Sequence, residues 1–127
     1  MNPDFLILQA QFKALRNFFM GTLSKLYENE KDSEQKIWEA KYLIWQFERE
    51  FLNSAYLAGK LSTLEEEKID RRLFQLQVLS DAAYIRSHYK ECELANAIDT
   101  YAVAQALHIL EQSDGSEEDM CRLIDEL

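Results

Sequence analysis

The sequence predicts an all-α protein, an antiparallel bundle of four main helices followed by a short acidic C-terminal helix. Residues that interrupt regular structure are scarce, because the 127 residues include only one proline and three glycines. Sheets and long loops need many more such residues. Apolar residues also recur at intervals of three and four, which is typical of helices that bury one face. We expect residues 1–127 to form a single domain.

The first helix is expected to begin at Pro3 with Asn2 as its N-cap, because proline at the first helical position wastes no hydrogen bond. A polar turn over residues 28–34 should follow, in which Asp32 or Ser33 can cap the second helix. The apolar positions of the first helix form one stripe, expected to face the core, that consists of Phe5, Leu8, Phe12, Leu15, Phe19, Leu23 and Leu26.

The second helix should run over about residues 34–58 and end at Gly59, since glycine readily takes a left-handed conformation. Residues 62–66 contain two alternative capping boxes, Ser-x-x-Glu and Thr-x-x-Glu, either of which can open the third helix. The third helix should end near His88. The fourth should end near Gln112, and the boundary between them is so weakly marked that one kinked helix is an alternative.

The second helix carries two apolar stripes, whereas a helix with a single neighbour needs only one. Either both stripes pack within the chain or one of them is a protein interface. Tryptophan and tyrosine are enriched at interface hot spots, so we predict that the aromatic stripe binds a partner. The first stripe holds Ala40, Leu43, Ile44, Phe47, Phe51 and Ala58. The predicted partner-binding stripe holds Trp38, Tyr42, Trp45, Leu52 and Tyr56.

The third helix also has two apolar sides, and these duplicated stripes favour a homodimer. Two-fold pairing is the commonest way in which a protein hides a self-complementary patch. Packing of both helices between two neighbours within the same chain is the alternative. The number of stripes by itself does not distinguish the two arrangements.

The C-terminal segment, residues 111–127, is strongly acidic. It holds seven acids against one arginine, which is −6 of the formal charge of −9. This field disfavours direct binding to nucleic acid or to an anionic membrane and favours a partner protein with a basic surface. Ser116 should open a short final helix, and we predict that Glu117, Glu118 and Asp119 contact the partner. Apolar residues at helical spacing can dock the other side of this helix; they are Met120, Leu123, Ile124 and Leu127.

Patterns typical of catalysis and metal binding are weak. Neither histidine follows a glutamate by three residues, as the ligands of di-metal helical bundles do. Glu67 and Asp70 match one of the two acidic pairs with which helical nucleotide pyrophosphohydrolases hold magnesium, but the other pair is missing. Cys92 and Cys121 fit no metal or redox spacing. We therefore predict no catalytic residue, no metal site and no cofactor.

Two acidic residues call for a partner inside the fold. Glu48 lies between the two stripes of the second helix, where it can form a structural ion pair with Arg71 or Arg72. Asp99 lies on the apolar side of the fourth helix, and a buried carboxylate needs a hydrogen-bonding partner. Asp99 is a helix cap instead if the fourth helix begins late.

These observations favour a non-enzymatic protein-interaction protein: a small acidic helical adaptor, chaperone-like factor or inhibitor. It would bind through the aromatic stripe, the acidic surface, or both. One alternative is an acidic inhibitor that mimics nucleic acid and blocks a basic nucleic-acid-binding surface. Another is a small helical magnesium-dependent enzyme acting on a phosphorylated ligand. The sequence lacks both an apolar run of membrane-spanning length and a signal-peptide pattern, so we expect a cytoplasmic location.

Overall fold

A computed structural model describes residues 5–57, 59, 66–88 and 101–127 of the chain. Helices make up 87% of these residues, and no strand occurs among them. The all-α class is therefore confirmed, with four main helices and a short C-terminal one. The helices are α1 (Phe5–Leu26), α2 (Ser33–Leu57), α3 (Glu66–His88), α4 (Tyr101–Gln112) and α5 (Glu117–Asp125).

Side-chain contacts show that α1 and α2 run antiparallel. In the first half of α1, the ring of Phe12 lies edge-on against the ring of Phe51, with centroids 5.4 Å apart. Two turns later, Met20 lines a cleft together with Lys41, which lies much earlier in α2. The chain reverses direction in the polar turn before Ser33, the first residue of α2, as the sequence predicted.

The largest helix contact joins α2 to α3, which also run antiparallel. Arg72, near the start of α3, pairs with Glu48 in the second half of α2. Arg86, near the end of α3, lies 3.7 Å from Glu34 at the start of α2. The polar side chains of these two helices therefore meet in opposite order along the chain, and apolar side chains fill the space between them.

The core is formed mainly by α2, α3, α4 and α5. Its most deeply buried apolar side chains include Leu52, Ile69, Leu76, Leu79, Ile109, Met120 and Ile124. Helix α1 contributes less, because Phe5, Phe12 and Arg16 are the buried residues among its 22. The prediction that its whole apolar stripe faces the core is wrong: Leu15 and Phe19 are exposed, since no helix among the described residues covers that flank.

Two helix ends confirm the predictions from sequence. Gly59, just after α2, has a φ of 71°, the left-handed conformation that favours glycine. Ser116 caps α5, and its side chain accepts a hydrogen bond from the backbone N–H of Asp119. Several further predictions fall outside the described residues; they concern Asn2, Pro3, the capping boxes of 62–66, the boundary between the third and fourth helices, Cys92 and Asp99.

None of the helices in the described ranges is both long enough and apolar enough to cross a membrane.

Helix α5 packs on the bundle through its apolar side, as the sequence predicted. Met120 and Ile124 are buried against α3 and α4, whereas Leu127, the last of the predicted apolar positions, is 52% exposed. The acidic segment is therefore part of the core on its apolar side.

The docking of α5 predicts a stability effect. We expect Ile124→Ala to lower the free energy of unfolding by about 2–5 kcal/mol, because it removes fully buried methyl groups and leaves a cavity. The matched change Leu127→Ala, at an exposed position, should stay within about 0.5 kcal/mol of the parent. Urea denaturation followed by circular dichroism measures both. Equal effects of the two substitutions would contradict the docking of α5.

Candidate functional site

Two arginines and two glutamates form a closed ring of ion pairs where α1, α2, α3 and α5 meet. Arg72 donates from Nε to Glu48 Oε2 at 2.7 Å and from Nη2 to Glu48 Oε1 at 3.1 Å. The same Nη2 donates to Glu117 Oε1 at 2.9 Å. Arg16 donates from Nη1 to Glu48 and from Nη2 to Glu117 Oε2, the latter at 2.9 Å. Each guanidinium therefore contacts both carboxylates, and we call this cluster the ion-pair ring.

The ion-pair ring is inside the bundle because its members occupy core-facing positions of their helices. Arg16 follows the buried Phe12 by four residues, and Glu117 precedes the buried Met120 by three. Glu48 is completely inaccessible to solvent. The sequence predicted the pairing of Glu48 with the third helix, and Arg72 is the partner. It did not predict that Arg16 and Glu117 complete the ring.

Ionised groups are expensive to bury unless their charges are balanced and their hydrogen bonds are satisfied. The ring meets both conditions, since its two positive and two negative groups cancel and both oxygens of Glu48 accept from arginines. Arginine suits this role because its planar guanidinium can bond two carboxylates at once. The ring is suited to stabilising the fold, because each of its four charges is paired within it.

The charges of the ring shift one another's pKa values. Burial favours the neutral form of Arg72, but the hydrogen bonds and charge of Glu48, together with Glu117, outweigh it and raise the pKa of Arg72. Burial likewise acts to raise the pKa of Glu117, yet the positive charges of Arg72 and Arg16 win and lower it. Both groups therefore stay ionised at neutral pH.

Further hydrogen bonds fasten the ion-pair ring to the surrounding side chains. Trp45 donates from Nε1 to Glu117 Oε1 at 3.1 Å. Arg72 donates from Nη1 to Gln75 Oε1 at 3.2 Å, and Gln75 in turn donates to Asp125 Oδ1 at 2.9 Å. Helix α5 is thereby bonded to α2 and α3 at its first residue, Glu117, and to α3 at its last residue, Asp125.

The thiol of Cys121 lies beside the ring, with Sγ 3.8 Å from Nη1 of Arg72. Burial raises the pKa of this thiol to about 11, a change that outweighs the opposing effect of the arginine. The thiol is therefore protonated at neutral pH, which makes it a poor nucleophile. The part of the chain that the structure describes also holds no group of three or more His, Cys, Asp or Glu residues positioned to bind a metal ion.

Two open clefts flank the ring between α1 and α5. One, of about 350 Å³, reaches Arg72 and Cys121, and the other, of about 210 Å³, reaches Trp45 and Lys41. Across them α1 is connected to α5 by the Arg16–Glu117 pair and by a contact of 3.7 Å between Lys13 and Glu118. Ion pairs rather than apolar packing therefore join these two helices.

The aromatic stripe that the sequence assigned to a partner lies in the core instead. Trp38 is 7%, Trp45 3% and Leu52 1% exposed, and Tyr42 and Tyr56 pack half-buried against the core. The exposed position predicted for this stripe is wrong because α3 and α5 cover it. The rings of Tyr42 and Tyr84 of α3, for example, have their centroids 5.6 Å apart.

The three acids predicted to contact a partner have different surroundings. Glu117 belongs to the ion-pair ring, and the carboxylate of Asp119 accepts from Arg122 at 2.7 Å and from the backbone N–H of Asp114, just before α5, at 3.0 Å. Glu118 has a side chain that is 71% exposed, with Lys13 as its neighbour. The first turn of α5 is therefore largely neutralised from within, and partner binding by Glu118 stays a prediction.

The other stripe of α2 is the exposed one. Leu43 is 60%, Phe47 56% and Phe51 42% exposed. Leu15 and Phe19 follow Phe12 by three and seven residues, which places them on the side of α1 from which the ring of Phe12 contacts α2. Phe12 joins the two helices beneath this surface, with its ring edge-on to the rings of Phe47 and Phe51. We call Leu15, Phe19, Leu43, Phe47 and Phe51 the α1–α2 apolar surface.

Comparisons of the chain with protein-family models, with curated proteins and with solved structures produced no match. Two features of the structure bear on function. One is the buried ion-pair ring, and the other is the α1–α2 apolar surface on the outer side of the same two helices.

The ring predicts a large cost for removing one of its charges. We expect Glu48→Gln to lower the free energy of unfolding by roughly 3–5 kcal/mol, because Arg16 and Arg72 would then be buried with Glu117 alone. The control Glu67→Gln, at an exposed position of α3, should cost less than about 0.5 kcal/mol. Urea denaturation compares them, and a Glu48→Gln protein as stable as the control would show that the ring does not stabilise the fold.

The lowered pKa of Glu117 predicts a pH dependence. Because this pKa is below its ordinary value of 4.5 in the folded protein, ionised Glu117 stabilises the fold above about pH 4.5. That contribution is lost as the pH falls through the folded-state pKa. We expect the stability difference between the parent and Glu117→Gln to be constant from pH 7 to 5 and to shrink towards pH 3. A difference that stays constant down to pH 3 would contradict this account.

Proposed function

We propose that this chain is a non-enzymatic protein-interaction protein that binds through the α1–α2 apolar surface. The observation that supports this most directly is the exposure of Leu43, Phe47 and Phe51 on one side of α2, beside Leu15 and Phe19 of α1. Exposed apolar side chains scattered singly are ordinary, whereas a contiguous patch is typical of a binding surface. We expect the partner to be a protein with a matching apolar surface and charged residues at its rim.

The size of the surface supports the proposal. The exposed fractions of its five side chains, 42–60%, correspond to roughly 500 Å² of apolar area. A standard protein interface buries about 800 Å² on each partner, of which roughly 60% is apolar, again about 500 Å². The patch therefore has the area that one side of a stable interface requires.

The acidic surface supports the proposal less strongly. Glu117 and Asp119 are paired with arginines of the same chain, so their charges are already balanced. A partner with a basic surface remains a prediction from the net charge of −9. The apolar surface is the stronger candidate, because its side chains are exposed and the ring of Phe12 beneath it joins α1 to Phe47 and Phe51 of α2.

A photo-crosslinking experiment tests the proposed surface. We expect p-benzoylphenylalanine at position 47 to give a discrete protein adduct on irradiation, whereas the same group at the exposed position 67 of α3 should give none. Leu43→Asp should abolish the adduct because it places a charge in the patch, and Glu67→Lys should leave it unchanged. The proposal fails if positions 47 and 67 react alike, or if the adduct survives Leu43→Asp.

A further inference from the structure

Three residues of α2 form a straight row along the α1–α2 apolar surface. Lys36, Leu43 and Glu50 follow one another at intervals of seven residues, which returns a helix to nearly the same side. Leu43 is 60% exposed in the middle of this row, with a positive charge one heptad before it and a negative charge one heptad after it. The row is therefore apolar at its centre and oppositely charged at its ends.

This row is complementary to a second copy of itself that runs in the opposite direction. If two copies of α2 pack antiparallel about a two-fold axis at Leu43, residue 36 of each copy faces residue 50 of the other. Lys36 then meets Glu50 of the second copy twice, and the two Leu43 side chains meet on the axis. Within its own chain Lys36 contacts Glu30, while Glu50 has no ion pair among the described residues.

The charge distribution also favours a second copy over a strongly charged partner. Residues 5–57, which include α1 and α2, hold seven lysines and arginines and seven aspartates and glutamates, so their formal charge is zero. The formal charge of −9 is carried entirely by the other residues, which hold seven basic and sixteen acidic side chains. Two copies can therefore meet through residues 5–57, whose own formal charge is zero, so the contact adds no net charge repulsion of its own.

We propose that the occupant of the α1–α2 apolar surface is a second copy of this chain, with α2 packed antiparallel on α2 of the second copy about Leu43. This inference rests on the proposed function and names its partner. Two-fold pairing buries the same patch on both copies, so a single surface of about 800 Å² per partner is enough for a stable dimer. Leu15, Phe19 and Phe47 then lie at the flanks of the α2–α2 contact.

Charge reversal tests this arrangement, because the two variants should rescue each other. Lys36→Glu places two glutamates at each end of the contact, and Glu50→Lys places two lysines there. We expect each variant alone to self-associate roughly tenfold more weakly than the parent at low ionic strength. An equimolar mixture of the two should restore association. In the mixed dimer the two substituted positions face each other with opposite charges, and the unchanged Lys36 and Glu50 form the other pair.

Sedimentation equilibrium gives the result. The parent should approach twice the 15.0 kDa chain mass with rising concentration. Glu67→Lys, on the exposed side of α3, is the control and should dimerise like the parent. Circular dichroism and urea denaturation establish that every variant is folded. A parent that stays monomeric at all concentrations, or a mixture that associates no better than its components, would overturn the proposal.

The failure of the dimer is distinguishable from the failure of the interaction surface. A monomeric parent whose position-47 photoadduct contains a different protein, and whose adduct is lost in Leu43→Asp, would reject the second copy and retain the proposed function. A monomeric parent without any such adduct would reject both. The expected outcome is an adduct of twice the chain mass whose yield falls in either charge-reversal variant and is restored in their mixture.

Discussion

The fold depends on one cluster of charges, the ion-pair ring that joins four of the five described helices. Apolar packing explains how α2, α3, α4 and α5 form a core, but it explains little of how α1 is attached. That helix buries Phe5, Phe12 and Arg16, and Arg16 contacts both Glu48 and Glu117. Because hydrogen bonds between ionised groups are directional, the ring fixes the rotation of α1 about its axis more narrowly than apolar contacts would.

Much of this architecture could be predicted from the sequence, because the residues that start, continue and end a helix lie close together along the chain. The scarcity of glycine and proline, the spacing of apolar residues, Gly59 after α2 and the Ser116 cap of α5 all act within a few residues, and the structure agrees with them. The pairing of Glu48 with Arg71 or Arg72 was also predicted, because a charge between two apolar stripes has to be neutralised by a neighbouring helix, and Arg72 is the one that pairs. These inferences needed no knowledge of how the helices are arranged in space.

The candidate site was only partly predictable, for two physical reasons. Arg16 lies four residues after Phe12 and Glu117 three residues before Met120, so each is a charge on an apolar face, a signal that identifies buried ion pairs in general. That signal does not say which charges meet across four helices. The two stripes of α2 were likewise recognised, but helical periodicity does not say which side has a neighbour. The larger aromatic residues, Trp38 and Trp45, proved to be core because α3 and α5 lie on their side.

The buried ring and the exposed surface are connected through α1 and α2. Arg16 points from α1 into the ring, whereas Leu15, one position earlier and about 100° around the helix, contributes to the apolar surface. Glu48 and Phe47 are neighbours in α2 in the same way, one inaccessible and one exposed. A rotation of α1 that moved Leu15 or Phe19 out of the surface would therefore break the contacts of Arg16 with two carboxylates. The ion-pair ring therefore holds the α1–α2 apolar surface in one arrangement. A surface that is already ordered loses less conformational entropy when it binds a partner.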